Sequence, residues 1–310
     1  MKIILKNNKR QQSKLKLKVI KILIGIAIFF CLSIPFVYIV SITLAKVAVI
    51  EFILAVMPQE KLSGINILAF GVDETEYVQR ADSIIVCHIN EENNRMGILS
   101  IPRDTRVHVS GYGLTKINHA HAFGGVDLLK KSVSDFLGVP IDYYIKVNLN
   151  GVEKVIDKIG GVVVNIPKDL FYVDYAGDLY IDLKKGQQRL TGKEAVQFLR
   201  FRHDADGDYG RIARQQTFIK ALVSKVTKSG KLFEMPLLFA KLSSNIKTNL
   251  GLAQMVGFAT QCKDIFDAGN IEIATVPGAP ILYKGVSYLR PDIVAMDNLI
   301  KETVMVFKSM

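Results

Sequence analysis

Four arginines and three aspartates crowd into the stretch FLRFRHDADGDYGRIARQQ, Phe198 to Gln216. Arg200 and Arg202 are two apart, so in an extended segment both side chains project to one face while Leu199 and Phe201 project to the other. Downstream, Ile212, Ile219, Val223 and Val226 recur at helical spacing as a core stripe, with Arg211, Arg214 and Gln215 at i, i+3 and i+4 beside it. Asp208 stands just before that helix, where its simplest role is an N-cap. Converging guanidiniums repel one another, and each is a planar fork suited to phosphate oxygens. The segment alone leaves two readings open: a polyanion held between the arginines, or a surface network of Arg and Asp ion pairs.

Further charges fall where a sheet would end. Asp73 follows the strand-like INILAFGV, and Asp82 opens the next strand-like run, with Arg80 between them. In LSIPRDTRV, Pro102 ends a strand and delivers Arg103 and Asp104 to the following loop. Open α/β sheets gather their ligand groups at strand ends. Carboxylates offering hard oxygens beside phosphate-gripping arginines are what Mg²⁺-assisted phosphoryl transfer requires, and Mn²⁺ suits the same donors. Taken singly, each aspartate reads first as a turn or cap residue; the joint pattern carries the inference. KINHAHAFGG places His119 and His121 two apart without a third soft ligand, so helix-start packing outweighs a transition-metal site. Gly124 and Gly125 read as a turn.

Such groups need a scaffold, and the apolar periodicity supplies one. Short β-branched runs, INILAFGV, SIIVCHIN, MGILSIP, YYIKVNL and VVVNI, alternate with the helix-like VDLLKKSVSDFLG and GVEKVIDKIGG. That alternation predicts an α/β sheet with helices on both faces. Later come the helix-like TGKEAVQF, a long helix from about Tyr209 to Lys228, a strand at IEIATV, a hairpin in YKGVSYLRP and a closing helix from Pro291 onward. The 251 residues from Glu60 to Met310 suffice to bury one core.

The net charge of +11 is concentrated at one end. Nine of the 40 basic residues precede residue 47 with no acid among them, which leaves 31 against 29 acidic residues. A general nucleic-acid surface is therefore disfavoured. Residues 1–21 form a basic tail, and Ile22 to Ala45 is a run of 24 uncharged residues. As a helix it would span roughly 36 Å at ~1.5 Å per residue, enough to cross a bilayer. It is too long for a signal-peptide core and lacks a small-residue cleavage pattern. We therefore expect a cytoplasmic tail at 1–21, a retained transmembrane helix at 22–45, a linker at 46–64 and an extracellular domain at 65–310. Cys31, Cys87 and Cys262 show neither CxxC nor metal-ligand spacing, and isolated apolar thiols are expected.

The motifs GVD, RADSIIV, SIPRDTRV, KINHAHAFGG, VNLNGVEKVIDKIGGV, GKEAVQFLRFRHDADGDYGRIARQQ and GVSYLRPD, after a basic tail and a single span, resemble the LytR-CpsA-Psr family of Gram-positive cell-envelope proteins. The likeness runs from about residue 65 to 292. It implies a three-layer α/β/α extracellular domain with a central mixed sheet. It also implies transfer of a glycopolymer, such as wall teichoic acid or capsule, from a polyprenyl-pyrophosphate carrier to peptidoglycan through a phosphodiester bond. By motif, Asp73 and Asp82 would hold Mg²⁺; Arg80, Arg103, Arg200, Arg202, Arg211 and Arg214 would grip the pyrophosphate, with Asp208 and Gln215 supporting them. Asp104 would either orient Arg103 or touch the metal. Two rival functions use the same grip: a polyprenyl-pyrophosphate hydrolase, and a non-catalytic lipid-glycan binding or regulatory protein. The short stretch between Asp73 and Asp82 departs from some relatives.

Overall fold

A computed structural model describes residues 64–73, 79–90, 94–175, 179–203, 207–228 and 235–302. The basic tail and the expected span lie outside them, as does the linker up to residue 63. Among the described residues, no helix is long and apolar enough to cross a membrane.

The chain order is β1 (Ile65–Val72), β2 (Ala81–Asn90), β3 (Arg95–Ile101), β4 (Arg106–Val109), β5 (Gly113–Lys116), α1 (His119–Leu137), β6 (Tyr143–Asn148), α2 (Leu149–Lys158), β7 (Val162–Ile166), β8 (Leu170–Asp174), β9 (Leu179–Leu183) and β10 (Gly186–Leu190). There follow α3 (Gly192–Arg200), α4 (Gly207–Lys228), α5 (Met235–Lys241), β11 (Ile246–Thr248), α6 (Leu252–Asp267), β12 (Ile271–Thr275), β13 (Gly278–Tyr283), β14 (Val286–Pro291) and α7 (Ile293–Glu302).

Six strands form a mixed sheet in the order β11-β6-β1-β2-β3-β12. β1, β2 and β3 run as an antiparallel meander, while β6 and β12 add parallel to β1 and β3. The β-branched runs are buried on both faces because helices cover both. Phe70, Ile84 and Leu99 pack against Leu129 and Val133 of α1 and Met296 of α7. On the opposite face, Ile98 and Cys87 meet Cys262 and Ile265 of α6 and Ile219 of α4. A further apolar cluster joins α2, α3, α4 and strands β7 to β10 around Ile156, Val164, Phe198 and Phe218.

Local expectations are met in part. Gly124 and Gly125 do form the break the sequence suggests: both are non-helical and kink α1 between two helical stretches, Gly125 at φ 65°, a positive value that a glycine adopts without strain. Pro291 belongs to β14, and the closing helix begins at Ile293, where the Asp292 carboxylate accepts from the Ala295 N–H at 3.0 Å. The YKGVSYLRP hairpin forms as β13–β14, with its turn at Lys284 and Gly285. Periodicity missed α6, whose apolar residues serve both the sheet and α5 and so show no single stripe.

Candidate functional site

β1, β3, β6 and β12 point the same way, so their C-terminal ends and the N-terminus of β2 share one edge of the sheet. There a cleft of about 200 Å³ opens, lined by Asp73, Asp82, Arg103, Arg200, Arg202, Arg211 and Gln215. Asp73 enters it directly after β1. Asp82 enters through a bulge: Gly71 pairs with Ser83 and Val72 with Ala81, which leaves Asp82 as the extra residue in the ladder. The bulge breaks the two-residue alternation. Ala81 shares the core with Ile84 and Val86, while Asp82 and Ser83 both line the cleft.

Arg200 is delivered by α3. Thr191 caps that helix in a reciprocal box with Glu194. Gly192 seats it against α2: its N–H donates to Asp157 at 2.7 Å, and a Cβ there would lie 2.2 Å from the Glu153 carbonyl oxygen. Arg200 therefore ends a helix rather than sitting in an extended segment. Phe201, which ends the helix, is extended at φ −60° and ψ 130°, and Arg200 and Arg202 on either side of it both line the cleft. From the facing α4, Arg211 and Gln215 project together at i and i+4. Ser83 Oγ donates to Gln215 Oε1 at 3.4 Å.

Two ion pairs order the cleft. Arg103 Nη1 lies 2.6 Å from Asp82 Oδ1, and Arg200 Nη2 lies 3.6 Å from Asp73 Oδ2. The remaining sequence candidates lie elsewhere. Arg214 is buried and does not line the cleft; its guanidinium donates to the Phe201 carbonyl and covers the Phe201 ring at 5.0 Å, fixing the junction that carries Arg200 and Arg202. Arg80 is exposed outside the cleft, toward His119, whose pKa is lowered by burial first and then by the field of Arg80. Asp104 pairs with Lys116 Nζ at 2.8 Å and approaches Arg103 Nε only to 4.0 Å. Asp208 falls inside the first turn of α4 instead of before it, and its side chain lies outside the described residues.

Sequence reasoning missed Tyr172 and Asp174 of β8, Leu179 of β9, and Ser83, all of which line the cleft. The β8–β9 hairpin is brought there by packing onto α3 and α4, which no local pattern records. His119 and His121 follow the packing reading: Nδ1 of His119 lies 2.9 Å from Thr115 Oγ1, and His121 Nδ1–H donates to the Gln79 carbonyl at 2.7 Å. Among the described residues, no three His, Cys, Asp or Glu side chains gather at metal-ligand spacing. Asp73 and Asp82 nevertheless fit Mg²⁺, which is usually held by one or two carboxylates while water and substrate phosphates complete its shell.

A second cavity, of about 260 Å³, lies between α4, α6 and the sheet. Its walls are almost wholly apolar: Leu222, Val223 and Val226 of α4, Met255 and Phe258 of α6, and Ile98 and Ile145 of the sheet. Cys87 and Cys262 also face it, and burial pushes the Cys87 thiol up to about 12 and raises that of Cys262. Both thiols are thus protonated and part of the apolar wall. Gln215 in the cleft and Leu222 in the cavity are seven residues apart on α4, roughly 10 Å along its axis.

The chain is thus a mixed α/β protein with an arginine-rich cleft at its strand ends and an apolar cavity along the same helix. The LytR_cpsA_psr family model matches residues 43–304, and the chain belongs to that family. The polyisoprenyl-teichoic acid–peptidoglycan teichoic acid transferase TagU of Bacillus cereus is 39% identical over 221 residues, 70% of each chain. TagU of Bacillus subtilis is 33% identical over 240 residues, 76% of each chain. Among solved structures, B. subtilis TagV superposes with a TM-score of 0.67 at 30% identity, covering 77% of this chain and 94% of TagV. A structure of TagT bound to LIIa-WTA gives 0.66 at 28% identity, over 80% and 93% of the two chains.

Proposed function

We propose that this protein is a membrane-anchored phosphotransferase that moves a teichoic acid or related glycopolymer from a polyprenyl-pyrophosphate carrier to peptidoglycan. The observation that carries the reading is the cleft in which Arg103, Arg200, Arg202 and Arg211 converge with Asp73 and Asp82. The likeness to the TagU transferases supports it and favours teichoic acid among the cargoes. The adjoining cavity suits the first isoprene units of the carrier, since a chain leaving the pyrophosphate finds apolar walls about two turns along α4. The uncharged run at 22–45 would hold the site beside a lipid-borne donor.

In this reading the arginines bind both phosphates of the donor and neutralise charge that builds on the transferred phosphorus. Asp73 and Asp82 hold Arg200 and Arg103 in place and would also hold Mg²⁺. When bound, that ion supplies Lewis-acid stabilisation of the phosphate oxygens. The acceptor sugar hydroxyl attacks the phosphorus that bears the glycan. A new O–P bond forms, the bond to the bridging oxygen breaks, and polyprenyl phosphate departs. The hydroxyl proton passes to a cleft carboxylate, for which Asp73, Asp82 and Asp174 are the candidates.

The test is incubation of the purified full-length chain in detergent with Mg²⁺, a polyprenyl-pyrophosphate-linked glycan and peptidoglycan fragments, following phosphodiester product and released lipid phosphate. Wild-type transfer that disappears in Asp82→Ala and Arg202→Ala is expected. Free glycan phosphate without linked product would replace transfer by hydrolysis, and tight lipid binding without turnover, unchanged in Asp82→Ala, would leave a binding protein.

A further inference from the structure

We propose that the β4–β5 and β13–β14 hairpins form the acceptor subsite, an aromatic and basic shelf that binds an acidic glycan strand beside the cleft. The proposal rests on the transferase reading and extends it to the second substrate. Residues directly opposite in an antiparallel pair share a face, as do alternate residues along a strand. In β4–β5, Arg106 and Lys116 are direct partners and share one face. In β13–β14, Tyr283 faces Val286 and Ile281 faces Tyr288, so the two tyrosines also share a face.

These two faces meet. The Arg106 guanidinium lies 4.2 Å from the Tyr283 ring centroid and 5.6 Å from that of Tyr288, and Lys116 Nζ lies 5.8 Å from Tyr288. A bridge between Thr105 and Leu289, with the Leu289 N–H donating to the Asp104 carbonyl at 2.9 Å, locks the hairpins in register. Each tyrosine is therefore set by a cation beside it, yet Tyr283 keeps 45% of its surface exposed. A ring fixed in this way offers a broad amphipathic surface at little entropic cost, which suits the alternating CH faces and hydroxyls of a sugar. Arg106 and Lys284, with Lys116 balanced by Asp104, leave the surround net positive, complementary to a glycan that carries carboxylates.

Continuity with the cleft selects this occupant. Arg103 lines the cleft and Arg106 sits against the tyrosines; they are three positions apart, so their Cα atoms lie at most about 11 Å from each other. Asp104, between them, is ion-paired to Lys116 and lines a small cavity of about 100 Å³ with Ile212, the neighbour of Arg211. A glycan lying on the shelf thus ends within reach of the phosphate-binding arginines. The exposed Leu282, next to Tyr283 on β13, makes a bilayer surface the competing occupant.

The experiment measures direct binding of a GlcNAc–MurNAc tetrasaccharide to the full-length protein in detergent, alongside binding of the lipid-linked donor, so acceptor and donor failures are read separately. Tyr283→Ala should weaken tetrasaccharide binding about tenfold or more and leave donor binding unchanged, Tyr283→Phe should restore it, and the neutral GlcNAc tetrasaccharide should bind more weakly than the acidic one. Leu282→Ala, on the other face of the strand, serves as the folding and locality control and should change nothing. No saturable tetrasaccharide binding by the wild type, or equal binding by Tyr283→Ala, overturns the shelf while leaving the donor site standing. If Tyr283→Ala instead loses sedimentation with anionic phosphatidylglycerol vesicles and keeps the tetrasaccharide, the shelf is a membrane-docking face and the proposal is wrong.

Discussion

The cleft and the apolar cavity are built on one helix by opposite means. α4 gives Arg211 and Gln215 to the cleft and Leu222, Val223 and Val226 to the cavity. In the cleft each side chain is held individually: Asp82 by its bulge and by Arg103, Arg200 by the seating of α3 and by Asp73. The cavity has no such fixed points; its walls are many interchangeable apolar groups from five or more elements. Loss of one charge in the cleft removes a directed interaction and leaves its partner unbalanced, whereas loss of one methyl in the cavity removes only a share of a non-directional one. The two regions should therefore respond very differently to single substitutions.

The largest difference is expected from Arg200→Ala. Removal of one positioned donor from a developing phosphoryl charge costs about 10²- to 10³-fold in rate. Transfer should fall by that amount while the thermal midpoint moves little, because Arg200 is partly exposed and its ion pair with Asp73 is long. A drop below tenfold would mean that Arg200 orders Asp73 and does not touch phosphate. Gly192→Ala should act on the same site through the scaffold. With a backbone oxygen 2.2 Å from the new Cβ, α3 must shift away from α2, at a cost of about 1–3 kcal/mol by analogy with overpacked cores. Denaturant unfolding and the transfer assay should then fall together, unlike in Arg200→Ala.

The same contrast explains what the sequence made legible. Each charged motif alone also suited a surface ion-pair network or a turn, but several of them at strand ends pointed jointly to a cleft, and Asp73, Asp82, Arg103, Arg200, Arg202, Arg211 and Gln215 do meet there. Arg214 carries the same signal but serves Phe201, since which way a helical arginine points depends on a neighbouring loop. Tyr172 and Asp174 gave no signal because their place depends on long-range packing of β8–β9. Nothing in the sequence marked the cavity as a cavity: Val223 and Val226 belong to the α4 stripe that reads as core, and the other lining residues are scattered from Cys87 to Ile271. The central sheet was legible from its β-branched runs; the bulge at Asp82 was not, because pairing register is a property of two strands.

A milder effect should come from filling the cavity. Ala259 is buried on α6 and faces it. Ala259→Phe would displace about two methylenes of a bound chain, each worth ~0.8 kcal/mol. That corresponds to roughly tenfold weaker binding of a long-chain polyprenyl pyrophosphate. A short, water-soluble alkyl pyrophosphate that uses only the cleft should bind as before. Equal losses for both ligands would show that the cavity and cleft are one coupled site.

The smallest effect separates the scaffold from both sites. His88, His119 and His121 all have pKa values lowered from 6.5, in each case by burial first. For a base whose folded pKa is depressed, the unfolded chain takes up protons first as pH falls. Stability is therefore undiminished above about pH 6.5 and declines as pH drops through and below it. His121 offers the cleanest case: it is buried against Phe70 with its Nδ1–H committed to the Gln79 carbonyl, and it lines neither the cleft nor the cavity. His121→Asn keeps a donor near Nδ1 and removes the titration. Urea midpoints measured at pH 8, 6.5 and 5.5 should fall for the wild type below pH 6.5 and fall less for His121→Asn. Parallel slopes in the two proteins would assign the acid sensitivity to His88 and His119, and equal midpoints at all three pH values would show that none of the three takes up its proton more readily on unfolding.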